Sequence, residues 1–480
     1  MRILQVSAEL FPLLKTGGLA DVAGALPPAL AAAGQDVRVL LPGFPAILRG
    51  LGETADVAVF DAPWGERATL CRGLIGDIPA YAIVAPALYD RPGNPYEWPD
   101  RQPYEDNHRR FALLGWAASL LARGLDPAWL PDVVHAHDWH AAMAPAYMAF
   151  APAGAPRVAS VFTVHNLAYQ GLFAASHFGG LGLPDTAFNV NGLEYHGQGS
   201  FMKAGLYFAD QLTTVSPTYA REIQTAEQGC GLDGLLRGRH GALTGILNGV
   251  DDAVWNPATD TLLPHAFEVR RPAGKALCKA ALQQELGLAV DPDAPLFVLV
   301  SRLTEQKGLH LVLDGLEALL AQGGQLALLG SGDGWLEVAF RERAGAAPHA
   351  VSATIGYSEA LAHRLFGAGD VTLVPSMYEP CGLTQMYGLK YGALPLVHRV
   401  GGLADTVVDC ALEHMADGSA TGFVFDRFDV SAFGQAVRRA FALYRRGSDW
   451  RRVRATAMRR PADWQTAAAQ YLHVYRQALA

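Results

Sequence analysis

The chain is short of lysine. Six lysines stand against 32 arginines in 480 residues, so positive charge is carried almost entirely by guanidinium groups and each lysine needs a local reason. Net positive charge is missing as well: 46 acidic against 38 basic side chains leave a formal charge of −8. That balance argues against a nucleic acid as the main partner, because neutralising many phosphates takes a clustered surplus of Lys and Arg. Any phosphate partner is therefore small. Cysteine is sparse too: Cys71, Cys230, Cys278, Cys381 and Cys410 are far apart and include no C-x-x-C pair. Neither a disulfide framework nor a zinc ribbon is indicated, and a reducing cytoplasm fits best. No apolar run is long enough to span a bilayer; the cleanest, Phe111 to Ala122, suits a buried helix. At the start of the chain Glu9 arrives too early for a signal-peptide core, so residues 1–9 read as a first strand and no export is expected.

Half of the residues are hydrophobic and 18% are charged, which supplies apolar surface for folded cores, and the length exceeds what one core usually serves. Aliphatic runs alternate with Ala- and Leu-rich helical stretches, the pattern of an α/β chain with parallel sheets built from βαβ units. Strands are expected at 3–6, 37–41, 133–137, 158–164 and 212–215, then at 296–300, 326–329, 371–374 and 394–397. Two doubly wound, Rossmann-like halves result. The least patterned stretch, 256–271, holds Pro257 and Pro264 and precedes a helix beginning near Pro272. The expected domains are 1–255 and 256–461, with the helical segment 462–480, anchored by Trp464, Tyr471 and Tyr475, returning to the first. The pentapeptide Gly-Gly-Leu-Ala-Asp occurs at 17–21 and again at 401–405, either as an echo between two similar halves or as generic turn chemistry.

Five segments carry candidate chemistry. Lys15-Thr16-Gly17-Gly18-Leu19-Ala20-Asp21 follows the first strand and opens a helix; glycines that admit a diphosphate, free helix N–H groups and an ammonium suit an anion, although a plain turn has the same grammar. It matches neither the dinucleotide fingerprint nor the P-loop. Ser301-Arg302-Leu303-Thr304-Glu305-Gln306-Lys307-Gly308 follows the first strand of the second half, where Arg302 and Lys307 can neutralise a departing diphosphate, unless they are merely solvated surface cations. Glu379-Pro380-Cys381-Gly382-Leu383-Thr384 offers a carboxylate for sugar hydroxyls and the N–H groups of Gly382, Leu383 and Thr384 for sugar or phosphate oxygens; the alternative is an acid that only complements a helix dipole. In His135-Ala136-His137-Asp138-Trp139-His140 the Asp sits one position early for a metal pattern and no acidic cluster completes a site, so no metal is expected. Asp138 and Trp139 instead suit sugar hydroxyls and a pyranose face, and His135 suits the core. Finally, His165 in Thr163-Val164-His165-Asn166-Leu167-Ala168-Tyr169-Gln170-Gly171 lies at a strand's carboxyl end, where ligands bind in such sheets. It can donate to a sugar hydroxyl, assist charge stabilisation, or serve as a hydrogen-bonded structural histidine.

Together with Tyr89-Asp90-Arg91-Pro92-Gly93, Lys203-Ala204-Gly205 and Leu247-Asn248-Gly249-Val250-Asp251, these segments resemble, in content and order, the bacterial glycogen synthase and plant starch synthase family over essentially the whole chain. The resemblance implies a GT-B fold, two Rossmann-like doubly wound lobes facing an interdomain cleft that closes around substrate. It further implies ADP-glucose as donor substrate, a glycogen or maltooligosaccharide acceptor extended at its non-reducing end, retention at the anomeric carbon, and no cofactor or metal. Carried onto this chain, it puts Arg302, Lys307 and Lys15, with the Gly17-Gly18 turn, on the ADP phosphates. Glu379 and the Cys381, Gly382, Leu383 and Thr384 backbone would hold donor glucose and phosphate, with Asn248 nearby, and Tyr96, Asp138, Trp139 and His165 would meet the acceptor. Neither nucleic acid nor membrane is an expected partner, and self-association into a homo-oligomer stays open. Two departures stand out: Tyr387 occupies the place where the wider retaining superfamily carries a second carboxylate, and Arg459-Arg460-Pro461-Ala462-Asp463-Trp464 replaces a Phe-Ser-Trp-like entry to the last helix. The rivals are a glucan-binding relative without turnover, and an epimerase or phosphorylase on the same fold.

Overall fold

Interior strands of a parallel sheet are covered on both faces and so need continuous apolar runs. Those of the first half pair in this way in the computed structural model, which describes residues 1–480. The strands of this half begin with β1 (Arg2–Val6), β2 (Asp36–Pro42), β3 (Ala55–Asp61), β4 (Arg67–Ile75), β5 (Ile78–Val84), β6 (Val133–His137) and β7 (Ala159–Val164). A small antiparallel sheet of β8 (Leu172–Ala174), β9 (Glu194–Tyr195) and β10 (Gln198–Ser200) interrupts them before β11 (Gln211–Thr214) and β12 (Leu243–Gly245) complete the set. The main sheet has the order β12-β11-β7-β6-β1-β2-β5-β4-β3. It is parallel from β12 to β5, and β4 and β3 are added antiparallel at one edge. From β1 the chain passes to β2 and then, starting at the edge, back through β3 and β4 to β5; from β6 it moves outward through β7, β11 and β12, so the winding reverses between β1 and β6.

The second half contains β13 (Leu296–Val300), β14 (Gln325–Gly330), β15 (Val351–Ile355), β16 (Val371–Val374), β17 (Leu394–His398) and β18 (Phe423–Phe425). All neighbours are parallel, in the order β15-β14-β13-β16-β17-β18, which read within this half is 3-2-1-4-5-6, the doubly wound nucleotide-binding order. The reversal falls between β13 and β16. The strands missing from the sequence reading are mostly peripheral or short. β3 reads Ala-Asp-Val-Ala-Val-Phe-Asp and leaves Val59 61% exposed, and β15, at the other sheet's edge, reads Val-Ser-Ala-Thr-Ile. An edge strand has one neighbour and open flanks, so no continuous apolar run is required of it.

The chain divides into one unit of Met1–Gly249 with Trp464–Ala480 and a second of Val250–Asp463, a division ahead of the expected boundary at 255. Residues 250–255 go with the second unit because the Trp255 indole is stacked between His363 and Tyr387, at 3.7 and 3.9 Å between ring centres. Val250 N–H also donates to Ala462 O at 2.6 Å, which draws residues 462 and 463 into the same unit. In the helix Trp464–Leu479 the buried positions are Trp464, Ala467, Ala468, Tyr471, Leu472, Val474, Tyr475 and Ala478, a three- and four-residue spacing that makes one apolar stripe. The stripe packs into the core of the first unit with Ile3, Val22, Leu26, Val37 and Val133. No helix is long and apolar enough to cross a membrane.

This packing sets a test. Trp464→Ala should cost about 3–5 kcal/mol, the usual scale for emptying a buried tryptophan site. Scanning calorimetry should show the first unit's transition lowered and the second unit's unchanged.

Candidate active site

In the second unit the candidate residues gather at the switch point. The loop after β13 carries Arg302 and Lys307, and the loop after β16 carries Ser376 and Glu379. Gln306 stitches the two loops: its carbonyl accepts from Met377 N–H at 2.8 Å and its side chain donates to Tyr378 O at 3.3 Å. Gly308 allows the close approach. Its φ is +68°, and a Cβ there would lie 2.0 Å from Pro375 O, so any other residue would force the loops apart. The result is an ion pair, Lys307 Nζ to Glu379 Oε2 at 2.6 Å, with Ser376 Oγ donating to the same oxygen at 2.8 Å. A recess lined by Ser301, Lys307, Ser376, Glu379 and Thr384 opens beside the pair. Arg302 is exposed and makes no ion pair within the protein.

Next to Glu379 the chain turns through Cys381, which is buried, and Gly382, at φ +75°, into the helix Thr384–Tyr391. No side chain caps this helix, so N–H groups of its first turn stay available to an anion or a sugar oxygen. Gln385 braces the turn from beneath, donating to Cys381 O at 3.0 Å and Gly382 O at 2.8 Å. The second Gly-Gly-Leu-Ala-Asp closes against it. Gly402 N–H donates to Glu379 O and Pro380 O, and a Cβ on Gly402 would lie 2.2 Å from Cys381 O. The first copy is used differently: Gly17 and Gly18 are exposed, and a Cβ on Gly17 would meet nothing. The repeated pentapeptide therefore supports a loop in one unit and, in the other, forms the exposed start of a helix whose body is buried.

In the first unit the switch point lies between β1 and β6. The loop after β1 holds Lys15, whose Nζ pairs with Asp21 at 2.9 Å, and leads into the helix Gly18–Ala32, which has no side-chain cap. Glu9 organises this end of the sheet. It is buried, accepts from the Thr16 N–H at 2.5 Å and the Gly17 N–H at 3.3 Å, and bonds the hydroxyls of Thr16 and Tyr96. Tyr96 stacks on His140 at 4.7 Å, and burial beside Glu9 raises its phenol well above the ordinary range. The only clue to Glu9 in the sequence was an acid just beyond the first strand.

After β6 the chain enters Asp138 at φ +56°, a left-handed conformation that costs a residue with a Cβ of order 1–3 kcal/mol and gathers at functional sites. Asp138 Oδ1 accepts from the N–H of His165 at 2.8 Å and of Asn166 at 3.3 Å, tying the ends of β6 and β7 together. Burial raises this carboxyl to about 7 in spite of those two donors. The Trp139 indole meets the Phe111 ring edge-on at 4.8 Å, and a Cβ on Gly171 would lie 2.3 Å from it. Beside Trp139 a hollow is lined by Tyr169, Gln170, Leu172 and Tyr195, and Gln170 Oε1 is buried without a partner. His165 is half-buried and burial depresses its imidazole to about 3. His135 is fully buried, as expected. Asn248, close to the end of this unit, is buried with its Oδ1 unpartnered.

The model of the starch synthase catalytic domain matches residues 2–238, and that of glycosyl transferases group 1 matches residues 284–452. The chain is 74% identical to a glycogen synthase of Variovorax paradoxus, covering 100% of this chain and 99% of that protein. It is 60% identical to a glycogen synthase of Leptothrix cholodnii, with 100% of both chains covered. Among solved structures, the catalytic domain of starch synthase IV from Arabidopsis thaliana, bound to ADP and acarbose, superimposes with a TM-score of 0.90 at 32% identity over 100% of this chain and 99% of that one. A sucrose-phosphate synthase from Thermosynechococcus elongatus shares the fold, with a TM-score of 0.61 at 17% identity over 99% of this chain and 98% of that one.

The raised Asp138 carboxyl gives a pH test. Its folded value, about 7, lies above the ordinary 3.8, so the folded state favours the neutral acid. The associated stability is complete below about pH 4 and is lost as pH rises through about 7. Asp138→Asn, which keeps an acceptor for the His165 and Asn166 N–H groups, should remove this dependence. Melting curves of the two proteins from pH 4.5 to 7.5 should therefore show the wild type losing stability relative to the variant as pH increases.

Proposed function

The chain belongs to the bacterial glycogen and plant starch synthase family, and we propose that it moves glucose from ADP-glucose to the non-reducing end of an α-1,4-glucan, with retention at the anomeric carbon and without a metal ion. The observation that carries the site assignment is the Lys307–Glu379 pair at the β13/β16 reversal, with the unpaired Arg302 on the same loop as Lys307. A nucleotide diphosphate leaving group develops negative charge as its bond to glucose lengthens, and fixed cations lower the barrier most when they meet that charge. Arg302 and Lys307 fill this role in our reading. Glu379, the N–H groups of Gly382 to Thr384 and the Cys381 backbone hold donor sugar and phosphate, and Asn248 lends its free carbonyl to the sugar. Lys15, Gly17 and Gly18 supply a further anion site in the first unit.

Tyr387, where a second carboxylate would stand, stacks on Trp255 in the second unit, which supports same-face transfer. The bond from C1 to the phosphate oxygen breaks, the bond from C1 to the acceptor's 4-oxygen forms, and the proton of that hydroxyl passes to the departing phosphate. Asp138, Trp139, His165 and Tyr96 orient the acceptor, and the hollow edged by Trp139, Tyr169 and Tyr195 suits further glucosyl units, since aromatic walls with a few polar groups are what ligand sites present. The five free thiols support a reducing, cytoplasmic setting.

The test is nucleotide release from ADP-glucose and, separately, UDP-glucose, with and without glycogen, in excess EDTA. Glycogen-dependent ADP release is expected; UDP preference would overturn the donor, and release independent of glycogen would overturn the acceptor. Glu379→Gln, which keeps hydrogen-bonding capacity toward Ser376 and Lys307, and Lys307→Ala should each lower kcat by roughly a hundredfold or more. Near-normal turnover in either would remove that residue from the site.

A further inference from the structure

Three buried groups of the first unit have no part in the chemistry above, yet they end on a residue that does. Tyr475, on the helix Trp464–Leu479, is 0% exposed, and its hydroxyl lies 2.9 Å from Gln5 Nε2 and 2.8 Å from His135 Nδ1. The other end of the Gln5 amide, Oε1, lies 2.7 Å from His137 Nε2, and His137 Nδ1 lies 3.0 Å from His165 Nε2. The bonds run in one direction. Gln5 donates from its nitrogen to Tyr475 and accepts with its oxygen, so His137 must carry its proton on Nε2. Burial keeps His137 neutral; its Nδ1 is then bare and accepts, and the proton in the last bond belongs to His165 Nε2. His165 is neutral as well, which leaves its Nδ1 a bare lone pair. At the far end Tyr475 donates to His135 Nδ1, and His135 donates from Nε2 to Thr163 Oγ1 at 2.6 Å.

We infer that Tyr475 and Gln5 act through His137 as positioning residues that fix His165 as the Nε2–H tautomer, so that His165 offers the bound sugar a hydrogen-bond acceptor at Nδ1. Sequence alone left His165 able to donate to a sugar hydroxyl; the network reverses that, and a hydroxyl of the acceptor sugar donates to the ring. The 4-hydroxyl keeps its own proton for the departing phosphate, so the group that donates to His165 is another hydroxyl of the same sugar, and the bond acts by holding that sugar in place for attack. The inference rests on the proposed placement of His165 at the acceptor, but the tautomer itself can be read without any turnover.

The experiment labels the histidine rings with nitrogen-15 and compares the wild type with Tyr475→Phe, assigning signals by single histidine replacements. In the wild type, His137 and His165 should each show a protonated Nε2 and a bare Nδ1. Without the Tyr475 hydroxyl the Gln5 amide can turn over, so both rings should become tautomer mixtures. In the same variant kcat should fall roughly tenfold, with KM for ADP-glucose within about twofold. Gln5→Met, which deletes the amide but keeps its length, should give the same pair of changes and serves if Tyr475→Phe folds poorly. A wild-type His165 protonated on Nδ1 would overturn the inference. A fall in kcat with both tautomers intact would also overturn it, because Tyr475 would then act only on packing. If the wild type shows the expected tautomers but no transfer to glucan, the relay stands and the proposed function fails.

Discussion

Everything at the two candidate sites depends on one constraint of parallel sheets. Crossovers between parallel strands are right-handed, so a chain that begins in the middle of a sheet must place its helices on opposite faces as it winds to the left and to the right. The loops leaving the two central strands then diverge, and a crevice opens between their carboxyl ends. Both units begin in the middle in this way, at β1 beside β6 and at β13 beside β16. Glu9 and Asp138 stand at the first crevice, and Lys307 and Glu379 stand at the second. The topology provides each opening, and polar side chains then decide what enters it.

Those side chains are held by opposite charge and by hydrogen bonds. Lys307 lies against Glu379 and Lys15 against Asp21, so each ammonium is held in one orientation, and in the reading proposed here a phosphate meets it with little reorganisation. Each of the other lysines has a buried or paired place of its own. Lys203 reaches the carbonyls of Val190 and Glu194, Lys275 those of Phe366 and Gly367, and Lys279 combines Pro292 O with Asp370. Lys390 pairs with Asp252. A compact ammonium with three donors fits these small cages. Burial brings Lys275 down to about 7, so it sits close to neutrality. Arginine carries the rest, on the surface, in bidentate pairs such as Arg91 with Asp106, and among backbone carbonyls at the buried Arg110 and at Arg239.

What the sequence made legible follows from locality. The runs at Val133–His137, Leu296–Val300 and Val371–Val374 were placed to the residue because a strand covered on both faces must be apolar throughout, and the polar loops that follow them are adjacent in the chain. Lys307 and Glu379 could be nominated separately for the same reason. Their pairing could not, since it depends on Gly308 and Gln306 holding together two loops 72 residues apart. Glu9 reads as an unremarkable acid until Thr16, Gly17 and Tyr96 converge on it. The bond from Gln5 to Tyr475 joins residues 470 positions apart, and no periodicity or motif registers a contact of that span. Trp255 was assigned to the wrong side of the boundary because only its stacking with His363 and Tyr387 shows which unit it serves.

The helix Trp464–Leu479 completes the first unit from the far side of the second in sequence. During translation, residues 1–249 emerge with Ile3, Val22, Leu26 and Val133 lacking their cover, and the whole of Val250–Asp463 must be made before that cover exists. At about 5–20 residues per second the delay is roughly 10–40 s, long compared with the collapse of a small core. The second unit, continuous in the chain, can finish folding while the first still presents a sticky sheet face to the ribosome exit and its attendant chaperones. Premature termination anywhere in the second unit would thus release a nascent protein whose first half is almost wholly translated and yet unable to close its core.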